Sequence, residues 1–165
     1  MIWVNIIAVL ILIFSVIGGL KEGAVRQFFN IVVLIIAIPL AGISYGLIAG
    51  LLSFLPGENW ESFIGFFITF AILSAIGHLV VFMPRRIIGK LWRRGAIFRV
   101  VGGALNAVNA SIGMVVFTLV LLAYPIFDWL ERAVAGSSVL ASLVQTFGFV
   151  QNMLPAVFQI PPMVV

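Results

Sequence analysis

The chain has no cysteine, a single histidine, and charged side chains at only 8% of its 165 positions. Without cysteine there are no disulfides, thiolate metal sites or cysteine nucleophiles. So little charge excludes a water-covered globule, in which about a quarter of residues are charged. The net charge of +4 is therefore not read as a nucleic-acid footprint. Catalytic constellations are also missing. His78 has no carboxylate within a helical turn, and Ser74 is its only polar neighbour at i−4. Glu58 and Glu61 sit in a turn with no second polar cluster and read as solvated loop charges. No glycine-rich phosphate loop with its lysine appears. The reading is a non-enzyme without cofactor or metal.

What is present is hydrophobic: 64% of the residues, arranged in long uncharged runs. Eight of the nine basic residues fall in two short segments between those runs. Lys21 and Arg26 follow the first run; Arg85, Arg86, Lys90, Arg93, Arg94 and Arg99 separate the third from the fourth. Four of the five acids, Glu58, Glu61, Asp128 and Glu131, fall in the intervening stretches. Basic residues concentrate in cytoplasmic loops of multi-pass membrane proteins, so the alternation sets a topology. The expectation is an all-α integral membrane protein with four transmembrane helices and both termini outside. The spans fall at about 2–20, 28–55, 63–84 and 100–124. The first, at 1.5 Å per residue, is about 28 Å long and suffices for a hydrocarbon core. Nothing basic precedes it, so it reads as an uncleaved span.

Two spans carry internal features. Pro39 lies inside the second run and predicts a kink near 35–39, since proline removes a backbone donor. Past Pro84, the residues Arg86, Lys90 and Arg93 share one helical face and Ile87, Ile88, Leu91 and Trp92 the other. This suits a helix along the inner interface, or the third span continuing past the proline. Residues 125–165 are too polar for a fifth span and form an outer C-terminal segment. There Ser137 or Ser138 makes a helix cap, and Val139, Leu140, Leu143, Val144, Phe147 and Val150 recur on one face. The segment is expected to be an amphipathic helix on the outer leaflet or on the bundle, ending in a proline-broken apolar tail.

Small and amide residues inside the spans are the candidate functional positions. Gly42, Gly46 and Gly50 repeat at i+4 in the second span; Gly103, Ala107 and Ser111 do so in the fourth, beside Gly102. Such rows let helix backbones approach closely, because lipid supplies no hydrophobic drive and packing must hold helices together. Asn106 and Asn109 lie one turn apart, with Asn109 about 15 Å from Arg99. Amides at that depth cannot face lipid cheaply. They are either interhelical hydrogen-bonding groups or the lining of a hydrated path. His78 reads as a satisfied or snorkelling side chain, with a proton relay as the alternative. Arg85, Arg86, Lys90, Arg93, Arg94 and Arg99 face anionic lipid headgroups.

Several segments together resemble a known family. Trp3-Val4-Asn5, then Gly19-Leu20-Lys21-Glu22-Gly23-Ala24-Val25-Arg26-Gln27, is similar to the start of the colicin V production protein (CvpA) family. Arg99-Val100-Val101-Gly102-Gly103-Ala104-Leu105 and Ser137-Ser138-Val139-Leu140-Ala141-Ser142-Leu143 resemble its last span and C-terminal region. The family commonly has an aspartate where Asn5 stands and another where Phe98 stands. The resemblance implies a bacterial inner-membrane protein associated with colicin V (toxin) production or export and with envelope homeostasis. Three readings follow. The first is a non-enzymatic accessory protein working through helix packing and partner contacts. The second is a small oligomeric channel or transporter with a polar path along the fourth span. The third is a membrane module that engages anionic lipid. The partners expected are the lipid bilayer, further copies of the chain and export or envelope proteins, with no nucleic acid.

Overall fold

A computed structural model describes residues 2–54, 56, 59–91 and 95–159, the side chains of 89–91 excepted. Four long helices account for the apolar runs: α1 (Ile2–Glu22), α2 (Ala24–Leu51), α3 (Trp60–Leu91) and α4 (Ala96–Ala123). Three short helices follow, α5 (Asp128–Ala135), α6 (Ser138–Thr146) and α7 (Phe149–Met153), and then a 3-10 turn over Ala156–Phe158. Among the described residues there are no strands. All four long helices are long and apolar enough to cross a membrane.

The boundaries follow from local chemistry. Gly23 alone joins α1 to α2, with φ 84 and ψ 164, a backbone conformation that suits glycine because it lacks a Cβ. Its N–H closes the last turn of α1 on the Gly19 carbonyl at 2.9 Å. The turn is so short that Arg26 lies inside α2, which begins four residues earlier than the charges indicate. Pro39 is contained within α2 and Pro84 within α3. The basic stretch from Arg85 to Leu91 is thus the continuation of the third helix and not a separate surface helix.

The long helices lie in the order α1–α4–α2–α3, each packed on the next, with only slight contact between α1 and α2 and between α3 and α4. Glycine makes these contacts possible. A Cβ placed on Gly102 would lie 2.6 Å from the Gly19 carbonyl oxygen and 2.7 Å from the Gly23 carbonyl carbon. The Leu20 side chain seats against Gly103, 3.1 Å from where a Cβ would be. A Cβ on Gly65 would meet the Ala49 amide nitrogen at 2.9 Å, and one on Gly77 would meet Val33 Cγ1 at 2.8 Å.

The glycine row of α2 is different. Gly42 packs against Pro155 and Leu154 of the C-terminal segment, whereas Gly46 and Gly50 have nothing within 4 Å of a Cβ position. Expected as a packing stripe, the row does not carry helix contacts within the chain beyond Gly42. The buried row is Ala37, Ala41 and Ala49. It runs one residue away, about 100° around the helix.

At the end opposite the basic residues, the C-terminal segment folds into the bundle. Phe158 is fully buried, with ring centroids 5.4 to 5.7 Å from those of Phe66, Tyr45 and Tyr124. Leu140, Ala133 and Val134 pack with Val4, Ala8, Met114 and Leu121. The expected amphipathic helix is therefore part of the core, and its tail up to Phe158 turns inward; Pro161 and Pro162 lie outside the described residues. Packed against α1, α2 and this cap, α4 is the most buried of the four helices.

Because a Cβ at Gly102 meets backbone, Gly102→Val is expected to destabilise the protein by about 3 kcal/mol or prevent folding. Gly50→Val faces open space and is expected to change stability by less than about 0.5 kcal/mol. Reversible unfolding in mixed micelles, followed by circular dichroism, separates the two.

Candidate functional site

Each α4 amide bonds to a different helix. Asn106 Nδ2 donates to the Ser15 carbonyl of α1 at 2.6 Å. Asn109 Nδ2 donates to the Gln27 carbonyl of α2 at 3.2 Å and to its side-chain Oε1 at 3.0 Å. Ser111, also buried, donates to the Ala107 carbonyl of its own helix at 2.8 Å. In hydrocarbon no water can satisfy such groups, so bonds between helices are the available solution.

Asn109 opens onto a longer chain of polar side chains centred on Gln27, which has no exposed surface. Gln27 Nε2 donates to Glu22 Oε2 at 2.7 Å, and Glu22 Oε1 pairs with Arg26 at 3.0 Å. Asn30 Nδ2 donates to Gln27 Oε1 at 3.1 Å. Asn30 Oδ1 faces His78 Nε2 at 3.1 Å, and His78 Nδ1 lies 2.7 Å from the Ser74 carbonyl. The chain therefore runs from the α1–α2 turn, through α2 and beside α4, to the exposed side of α3. Buried Asn109 Oδ1 and Ser74 Oγ have no hydrogen-bond partner.

The sequence-indicated positions thus separate. Asn109 and His78 join one network, Asn106 makes a separate bond to α1, and Gly102 and Gly103 sit at the α1–α4 crossing. Gln27, Asn30 and Glu22 were not singled out from the sequence. Their signal is a matched spacing: Gln27 and Asn30 are three apart on α2, as Asn106 and Asn109 are on α4. Arg85, Arg86 and Arg99 lie at the basic end, with the Arg86 guanidinium 5.8 Å from the Phe82 ring centroid. Arg93, Arg94 and the side chain of Lys90 lie outside the described residues. Among those described, no three His, Asp or Glu residues gather as metal ligands.

The capped end has its own polar ties. Asn5 Oδ1 accepts from Ser137 Oγ at 2.6 Å and from the Val139 N–H at 3.4 Å, and Asn5 Nδ2 donates to Ser138 Oγ at 3.2 Å. Ser137 Oγ accepts in turn from the Leu140 N–H, capping α6. Asn5 is therefore a cap-holding residue, and an aspartate there would keep both acceptor contacts. The Tyr45 and Tyr124 hydroxyls are hydrogen-bonded to one another. Trp3 with Trp129 and Trp60 with Phe127 form an aromatic rim at this end, as at membrane–water interfaces.

Four membrane-length helices, small-residue crossings and amides bonded between helices define a multi-pass α-helical membrane protein. Residues 4–150 match the profile of the family described as Colicin V production protein, and the chain belongs to that family. Comparison with curated proteins and with solved structures returns no match.

Gln27→Leu leaves Glu22, Asn30 and Asn109 short of one partner each and is expected to cost about 2 kcal/mol, from interhelical bonds worth roughly 0.6 to 2 kcal/mol apiece. Asn5→Ala is expected to cost about 1 kcal/mol by loosening the α6 cap, with Asn5→Asp close to wild type. Unfolding midpoints of the three variants in one detergent check both.

Proposed function

We propose that the chain is a non-enzymatic accessory protein of the bacterial inner membrane, acting in colicin V production or export or in envelope homeostasis. Both termini and the capped end lie outside, and the basic end faces the cytoplasm and its anionic headgroups. The observation that carries this reading is the use made of the α4 amides. The groups that would line a path along α4 hold α1 and α2 in place instead. The work of the protein is then done by its surfaces. Broad apolar faces on α1, α2 and α3 meet lipid and membrane partners, and the cap meets the outer compartment.

A channel built from several copies is the alternative. It is favoured by one observation, the polar chain that reaches the exposed side of α3 at His78. Solute and ion flux through protein reconstituted in liposomes separates the two. The accessory role predicts flux no greater than through empty liposomes. Flux in the wild type that disappears in a well-folded Asn106→Ala/Asn109→Ala variant would replace it with the channel. In cells that depend on this chain for colicin V release, Gly102→Val is expected to abolish release in step with the loss of folded protein.

A further inference from the structure

We infer that the bare face of α3 is a pairing surface for a second copy of the chain. The two α3 helices lie side by side about a two-fold axis along the membrane normal. α3 is the edge helix of the row. It packs on α2 through Gly65 and Gly77, with Phe66 and Thr69 buried between them, and it is the least buried of the four spans. On its other side six positions follow one another at spacings of four and three: Ile64, Ile68, Ala71, Ala75, His78 and Phe82. All but the partly buried Ile64 are exposed. A seven-residue repeat of this kind keeps one seam of a helix against a single neighbour, at a left-handed crossing of about 20°.

His78 makes this face unlike one built for lipid. Its ring nitrogens lie 2.7 Å from the Ser74 carbonyl and 3.1 Å from Asn30 Oδ1, yet the ring is exposed. It stands about 10 Å along the helix from Arg85, and ionisable side chains at such depth face protein or water and not hydrocarbon. The adjoining side of α3 carries Ile72, Ile76, Leu79 and Met83, large and exposed, which suits lipid. The seam instead has two alanines at its centre, where another backbone can come close. In its outer half it borders an apolar groove walled by Phe63 and Phe67 of α3 and Phe117 of α4. The groove is open because α3 and α4 touch only slightly.

The length of the seam selects its occupant. From Ile64 to Phe82 it runs about 27 Å, close to the roughly 30 Å of a hydrocarbon core. A lipid chain reaches across one leaflet, so it fills the groove or covers His78 but not both. A transmembrane helix covers both. A second α3 is the helix that fits this seam layer by layer. Copies of one chain share one orientation in the membrane, so the pair is parallel, and about a two-fold axis each seam residue meets its own counterpart. The isoleucines then meet in the outer half, the alanines meet where the axes are closest, and the two His78 rings cover one another at the same depth. A single polar layer in an apolar seam also fixes the register, because any slip sets both rings against aliphatic side chains. Arg85, the next position of the repeat, lies at the basic end, where its long side chain turns out to the headgroups. The pairing applies to an accessory protein and to a channel alike.

The composition makes the test direct: the chain has no cysteine, so one introduced cysteine is its only thiol. Ala71→Cys and Ala75→Cys place it on the seam. Ile72→Cys and Ile76→Cys place it one residue further round the helix, at positions that are also exposed. Each variant is purified, checked for helicity by circular dichroism and reconstituted at high dilution in vesicles of mixed neutral and anionic lipid. Disulfide-linked dimer formed under mild oxidation is read on a non-reducing gel. The bond needs Cβ atoms only about 4 Å apart, so it reports which faces meet. Dimer is expected to form several times faster at Ala71 and Ala75 than at Ile72 and Ile76. Ala75→Trp, added to Ala71→Cys, should remove the link by holding the two helices apart while leaving helicity unchanged. Equal linkage at the four positions, faster linkage at Ile72 and Ile76, or no linkage at all overturns the inference. So does linkage at Ala71 that survives Ala75→Trp.

Discussion

The contact on which the structure depends is the meeting of two backbones, at Gly19 on α1 and Gly102 on α4. Lipid rewards the approach of two apolar helices no more than it rewards leaving them apart. Association must come from close dispersion contact and from polar bonds, and both need the backbones near one another. At this crossing the Gly19 carbonyl and the Gly23 turn occupy the volume that a Cβ on Gly102 would fill. The bond from Asn106 to the Ser15 carbonyl lies one turn along α4, within reach only because the crossing is tight. Leu20 against Gly103 completes it. Once α1 is fixed to α4, the one-residue turn at Gly23 fixes where α2 starts, and α2 in turn carries α3.

The polar chain is a consequence of that geometry. A buried Gln27 with no exposed surface would be expensive in hydrocarbon without partners. It is tolerated because α4 brings Asn109 to it, α2 supplies Asn30 and the Gly23 turn supplies Glu22. Each amide in the chain is oriented by its neighbour, so the network behaves as a unit. At the other end the balance is different. The cap is held by Phe158 in an aromatic pocket and by Asn5 across the start of α6. One end is thus closed over the bundle by an apolar plug, and the other carries the basic residues.

The four spans were legible in the sequence because charge is excluded from hydrocarbon, so nine basic and five acidic residues outline them. The α4 positions Gly102, Gly103, Asn106 and Asn109 were legible for a related reason: small and amide groups at that depth need a neighbouring helix. Several features were not. Gly42, Gly46 and Gly50 share a spacing, but spacing alone does not say which face of α2 turns inward, and Ala37, Ala41 and Ala49 take that face. Gln27 was hidden among basic residues that mark a loop, since nothing local shows that Gly23 turns the chain in one residue. The burial of Phe158 was hidden too. An apolar tail beside prolines reads the same whether it lies on lipid or returns between helices. The pairing of Tyr45 with Tyr124 depends on that return.

The most direct test of this account is the proximity of the two glycines. Protein labelled with carbon-13 glycine in lipid bilayers should show an intramolecular cross-peak between the α-carbons of Gly19 and Gly102. It should persist when labelled chains are diluted in unlabelled ones. A cross-peak that is absent, or that fades on dilution because the contact joins two copies, would contradict the α1–α4 crossing and the fold built upon it.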